Sequence, residues 1–145
     1  MEALERMIKN FLALDPNKIL IKTMSDNPIL EKLAIQLVQR KQLDFGLTGD
    51  GHFLGEYSAV SVEVFGKEPG PINLDDTGEF RDSFEVVLVD EGFFINADGQ
   101  KEDTNLFVEF GSDITKLNED NLSTFIDRLV PLMQKAIIEL MFKNV

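Results

Sequence analysis

The chain has no cysteine and no tryptophan, a single histidine and a single tyrosine. Without cysteine there is no disulfide scaffold, no thiolate metal site and no cysteine nucleophile. That fits a reducing compartment, although exported proteins also do without cysteine. Basic residues are scarce, 14 against 26 acidic ones, for a formal net charge of −12. The carboxylates are spread along the chain, a balance that favours solubility and repels nucleic acid and anionic lipid. The one close basic pair, Arg40-Lys41, falls at an expected helix end, where cations complement the helix dipole. No apolar run approaches the length of a membrane span. The opening Met1-Glu2-Ala3-Leu4-Glu5-Arg6 lacks a positive leader followed by an apolar stretch, so no signal peptide and synthesis in a cytoplasm are expected.

What remains is a chain of 145 residues with 12 phenylalanines. A domain of about this size buries about 70% of its unfolded surface and folds without a metal or a disulfide. No repeat, low-complexity tract or linker divides it, so one domain over 1–145 is expected, in three parts: helical 1–45, loop-rich 46–73, and 74–145 with a helical turn, a β-hairpin and a long helix.

Leu4, Met7, Ile8, Phe11 and Leu12 share one helical face. Asp15-Pro16 opens a second helix through Ile19, Leu20 and Met24, and Asn27-Pro28 a third, to about Leu43, with Leu30, Leu33, Ala34, Leu37 and Lys41 aligned. Gly46, Gly49, Gly51 and Gly55 mark a flexible loop. Val60 to Val64 alternates like a strand, with a short helix as the rival. Asp75 to Ser83 reads as a capped helical turn. Phe84 to Val89, the turn Asp90-Glu91-Gly92, and Phe93 to Ala97 form a β-hairpin. Leu106 to Phe110 is a short apolar segment closed by Gly111. Asn118 caps a last helix carrying Leu122, Phe125, Ile126, Leu129, Met133, Ala136, Ile137 and Leu140, which Pro131 should kink or interrupt. The expected fold class is α+β, with a small antiparallel sheet, a central hairpin packed against several helices, and a long C-terminal helix.

Catalytic chemistry finds no foothold. His52 sits in the glycine-rich loop with no marked serine partner. Asp75, Asp76 and Glu79, and again Asp90 and Glu91, lack calcium-loop spacing and read as cap and turn carboxylates. The glycines at 46, 49 and 51 lack the lysine and helix of a phosphate loop. No enzyme activity, cofactor or metal is therefore expected. Adjacent Phe93 and Phe94 on a strand must face opposite sides. One meets the core and the other needs a second layer or another chain.

Two segments together resemble a known family. Leu74 to Phe84, with Thr77-Gly78, Arg81 and Ser83, is similar to the L-x-x-T-G-x-L-R-x-S-I signature of tailed-phage virion-morphogenesis proteins. Phe107-Val108-Glu109-Phe110-Gly111 is similar to the Y-x-x-V-E-F-G element of phage neck and tail-completion proteins, with a hairpin between the motifs and a helix after them. Gly55-Glu56-Tyr57-Ser58 before Lys67 resembles the family's aromatic-then-helix segment, which favours helix over strand at Val60–Val64. Ser112 stands where the family often has threonine, and residues 1–45 match no part of it. The resemblance implies a structural virion protein of the neck, for head–tail joining or tail completion. It would be made in the host cytoplasm and form a homo-oligomeric ring against portal, connector or tail proteins, with no specific nucleic-acid binding beyond passive contact with channel DNA and no membrane.

In such a fold Thr77 caps a turn, Gly78 permits a close backbone approach, Arg81 pairs with a carboxylate such as Glu109, Ser83 bonds backbone at the turn-to-strand switch, and Gly111 makes a left-handed exit. Phe93, Phe94, Ile138 and Phe142 are the expected protein-interface residues. The alternatives are an acidic inhibitor or DNA mimic acting on a nucleic-acid enzyme, and an enzyme built on Asp75 or Asp76.

Overall fold

The computed structural model describes residues 2–145, so Met1 lies outside the described residues. The chain folds as α1 (Glu2–Leu12), α2 (Pro16–Asp26), α3 (Pro28–Lys41), α4 (Ala59–Glu63), α5 (Glu79–Asp82), β1 (Glu85–Val89), β2 (Gly92–Asn96), α6 (Leu106–Phe110) and α7 (Glu119–Met141), with 3₁₀ turns at Leu43–Phe45 and Ser112–Thr115. It is an α+β fold whose sheet is the antiparallel β1–β2 hairpin.

Local chemistry sets most boundaries. The Asp15 carboxylate accepts the Asn17 N–H at 3.0 Å and Pro16 occupies the first turn of α2. Asn118 accepts the Asn121 N–H at 2.9 Å and starts α7. That helix runs uninterrupted through Pro131, which lies on its exposed side. On that side the carbonyl one turn back, of exposed Asp127, can be met by water instead of being orphaned in the core. Val60 to Val64 is not a strand. The Ser58 hydroxyl accepts the Ser61 N–H at 3.1 Å and caps α4, so a local cap overrides the alternating pattern.

Helix α7 is the spine, touched by α1, α2 and α3, and the hairpin lies across α2 and α3. The core joins Met24, Leu30, Ala34, Val38, Leu43, Phe80, Phe84, Ile95, Ile114, Phe125 and Leu129, all from the first and third parts of the chain, with the loop-rich middle adding only the partly buried Leu54 and Ile72. Phe80 meets Phe84 and Phe107 edge-on, at centroid distances of 5.1 and 6.1 Å.

Residues 56–71 leave this body as an arm. Glu56 pairs with Pro71 at its base, the Ile72 N–H donates to the Gly55 carbonyl at 2.8 Å, and α4 rides on the arm. The Lys67 ammonium bonds Asp76 and lies 5.4 Å from the Tyr57 ring centroid, tying the arm to the segment before α5. Lys67 holds the Asp76 carboxyl below its ordinary value of 3.8. A depressed folded-state pKa stabilises above the unfolded value and is lost as pH falls through the folded one. Acid titration below pH 3.8 should therefore destabilise the wild type slightly more than Asp76→Asn, read as the slope of Tm against pH. The Asp76 carboxylate is more than half exposed, so the difference is small.

Candidate functional site

The two motifs of the resemblance meet through the Phe80 and Phe107 rings, not through the expected Arg81–Glu109 pair. Arg81 bonds Asp44 at 2.6 Å and the Asn73 carbonyl at 2.7 Å, and its own carbonyl accepts from the Gln39 amide at 2.8 Å. Glu109 is not its partner; it sits exposed on α6, and Asp44, delivered by the 3₁₀ turn after α3, takes the guanidinium instead. Arg81 therefore stitches α5 to α3 and the base of the arm. Arg81→Ala should cost about 2–3 kcal/mol, because a mostly buried charged donor is lost and its carbonyl partner is left unpaired. Glu109→Gln should stay within about 0.5 kcal/mol. Urea denaturation of the two variants separates these pairings.

The other motif residues serve the chain path. Ser83 donates to the Phe80 carbonyl at 2.6 Å and accepts the Asp98 N–H at 2.8 Å, joining α5 to the strand exit. Thr77 accepts the Glu79 N–H at a long 3.4 Å, while Gly78 holds the cap position with φ +85°. A Cβ on Gly78 would meet nothing closer than 3.6 Å, so the positive φ, not close packing, selects glycine there. Gly111 leaves α6 at φ +93° and ψ 167°, a positive φ that favours glycine but with a ψ far from the left-handed helix, and the chain goes straight into the next 3₁₀ turn.

Of the four expected interface residues, Phe93 turns inward, with its ring centroid 5.2 Å from that of Phe125. The strand's alternation puts the Phe93 ring on the core side, where the partly buried residue also borders the groove beside β2, and Phe94 outside, half exposed. Ile138 and Phe142 on α7 are 56% and 53% exposed.

Larger apolar surfaces lie where periodicity alone reads as core. Helix α1 is strongly amphipathic yet has no buried residue, and Leu4, Ile8, Phe11 and Leu12 all face outward. It is held from its polar side. Asn10 donates to the carbonyls of Met141 and Lys143 at 2.9 and 3.0 Å, and Arg6 reaches the Asn144 carbonyl. These donors serve carbonyls that the end of a helix leaves without partners. On the arm, Val60, Val64 and Phe65 are likewise exposed.

A groove of about 610 Å³ runs between β2, Leu20 of α2, the 112–117 segment and Leu122 of α7. Its surface is mainly apolar, with Glu91, Asp113 and Lys116 as its charged residues. The 112–117 wall is set by two contacts that no motif announces. Gln42, fully buried, donates to the Lys116 carbonyl at 2.7 Å and accepts the Asn118 N–H at 2.8 Å and the Asn121 amide at 3.1 Å. Gly49 lies flat against Lys116 and donates its N–H to the Asp113 carbonyl at 2.8 Å. Gly49 thus serves close packing rather than loop flexibility.

Among the described residues no three His, Asp or Glu side chains are grouped to hold a metal ion. His52 sits exposed with its Nδ1 2.7 Å from Asp50, a carboxylate held low chiefly by the Thr48 hydroxyl. No helix among the described residues is long and apolar enough to cross a membrane. The arrangement offers exposed apolar faces and a groove. Comparisons with known protein families, with curated proteins and with solved structures find no match to this chain.

Proposed function

We propose that this chain is a non-enzymatic structural protein of the phage neck, a head–tail joining or tail-completion component of the virion that assembles as a ring. The observation that carries the reading is α1: an amphipathic helix fastened by its polar side, with its apolar face turned away from the chain's own core. Such a face lowers free energy only when another surface covers it. A head-to-tail ring needs two different complementary surfaces on each copy. The α1 face and the apolar arm residues Val60, Val64 and Phe65 supply two. The ordered Thr-Gly, hairpin and Glu-Phe-Gly motifs give the phage context. The net charge of −12 suits a ring through which duplex passes without sticking.

Mass spectrometry of purified particles tests the reading, which predicts the chain in mature virions at a ring-like copy number. Ile8→Glu and Phe65→Glu should each leave the stability of the isolated chain within about 0.5 kcal/mol, since both side chains are exposed. Each should abolish incorporation. Virions that lack the wild-type chain, or that take up both variants normally, would rule the assignment out.

A further inference from the structure

The groove beside β2 has a chemistry that names its occupant. Val89 pairs with Gly92 across the two-residue turn Asp90-Glu91. At that separation an antiparallel bridge is formed only by the two residues exchanging both N–H···O=C bonds. Alternation then makes Val87–Phe94 and Glu85–Asn96 the other bonded pairs, and turns the N–H and C=O groups of Phe93 and Ile95 away from β1. None of those four groups has a hydrogen-bond partner among the described residues. Glu91, Gly92, Phe93, Phe94 and Ile95 all line the groove in succession, and no residue of β1 does. A cavity lined by consecutive residues of both faces runs along the edge of a strand, not over one face. The unpaired groups therefore open into the groove.

The opposite edge is closed differently. The Val86 N–H reaches the Glu31 carboxylate at a long 3.4 Å, and only a small cavity of about 110 Å³ remains there. Free edges are commonly guarded by charge, proline or a bulge. The edge Gly92-Phe93-Phe94-Ile95-Asn96 has none of these.

We propose that β2 is the acceptor edge of a docking groove and that its occupant is an extended segment of a partner protein, added as a third strand. Two outward N–H and two outward C=O groups, spaced two residues apart, are met in full by another extended backbone. The apolar walls at Leu20, Leu117 and Leu122 call for apolar side chains at alternate positions. The two carboxylates against one ammonium in the groove, on a chain of net charge −12, call for a lysine or arginine in the segment. Strand addition goes beyond the ring reading and does not depend on a virion location.

The test uses the full isotope-labelled chain and a panel of blocked peptides that alternate Val, Ile, Leu or Phe with Thr and carry lysine at both ends. At saturation, amide exchange at Phe93 and Ile95 should slow by about tenfold or more. Phe94, whose N–H is already bonded to Val87, should be unmoved. N-methylation of alternate peptide amides should remove the effect, and glutamate in place of the terminal lysines should weaken it. Leu122→Arg, a change at a half-exposed wall residue, should lower affinity by about tenfold in a chain that still folds. Equal binding of the N-methylated peptides would make the groove a simple apolar pocket and overturn the proposal. So would failure of every peptide at millimolar concentration. Protection of Phe93 and Ile95 that grows with protein concentration alone would give the edge to a second copy and overturn the foreign occupant. Particle content does not enter these outcomes, so strand addition and the neck assignment fail separately.

Discussion

Gln42→Leu should destabilise the chain by about 3–4 kcal/mol, because two backbone groups lose their partner inside the protein and each unmet buried group costs about 1–3 kcal/mol. The side chain spans the C-terminal end of α3 and the entrance of α7 through Lys116, Asn118 and Asn121, residues more than seventy positions away in the chain. Leucine fills the space but meets neither the Lys116 carbonyl nor the Asn118 N–H. Gln42→Glu makes the argument sharper. An ionised carboxylate would face the Lys116 carbonyl, whereas a protonated one can donate to it as the amide does. The folded-state pKa of the introduced carboxyl is thus raised. The variant's stability is greatest below the ordinary glutamate value of about 4.3 and lost as pH rises through the folded pKa. Urea midpoints for the variant at pH 4 and pH 7, against wild type at both, check the sign. Equal losses at the two values would mean that the amide fills space and the hydrogen bonds count for little.

Gly49→Ala should cost about 2–4 kcal/mol, from overpacking and from the strained bond to the Asp113 carbonyl. An added Cβ would lie 2.4 Å from the Lys116 carbonyl oxygen and 2.8 Å from its carbonyl carbon. Those are backbone atoms, so no rotamer change relieves the clash. Gly51→Ala is the control. It stands in open space at φ +83°, and should lose only the conformational cost of a left-handed alanine, about 1 kcal/mol. Gly49→Ala and Gln42→Leu both displace Lys116, so their combined effect should fall short of the sum of the two losses. Both should also weaken strand addition at β2, because Lys116 belongs to the opposite wall of that groove. A Gly49→Ala variant with unchanged stability and peptide affinity would show that the 112–117 segment yields freely.

Several roles read from the motif spacing change once the chain is folded, and each change has a local cause. Arg81 finds Asp44 rather than Glu109, because the 3₁₀ turn at Leu43–Phe45 brings a carboxylate to the base of α5. The four expected interface residues divide, since a strand places Phe93 on Phe125 and Phe94 outside it. The stripe of α1 has the period of a core helix but ends up uncovered. Amphipathicity states that one face differs from the other, and leaves open whether a helix is fastened by its apolar side or, as here, through Asn10 and Arg6.

The sequence alone determined the features that act over a few residues: the caps at Asp15 and Asn118, the prolines that open α2 and α3, the hairpin around Asp90-Glu91-Gly92, and so the α+β class. These are legible because capping, turn formation and side-chain period are decided by neighbours within about one helical turn. Only the tertiary structure decided which distant groups meet: Gln42 and Gly49 on Lys116, Arg81 on Asp44, and the open edge of β2 against the 112–117 segment. Such contacts depend on how whole elements pack, and a hydrogen-bond donor or an apolar stripe can be satisfied by many partners until packing leaves one within reach.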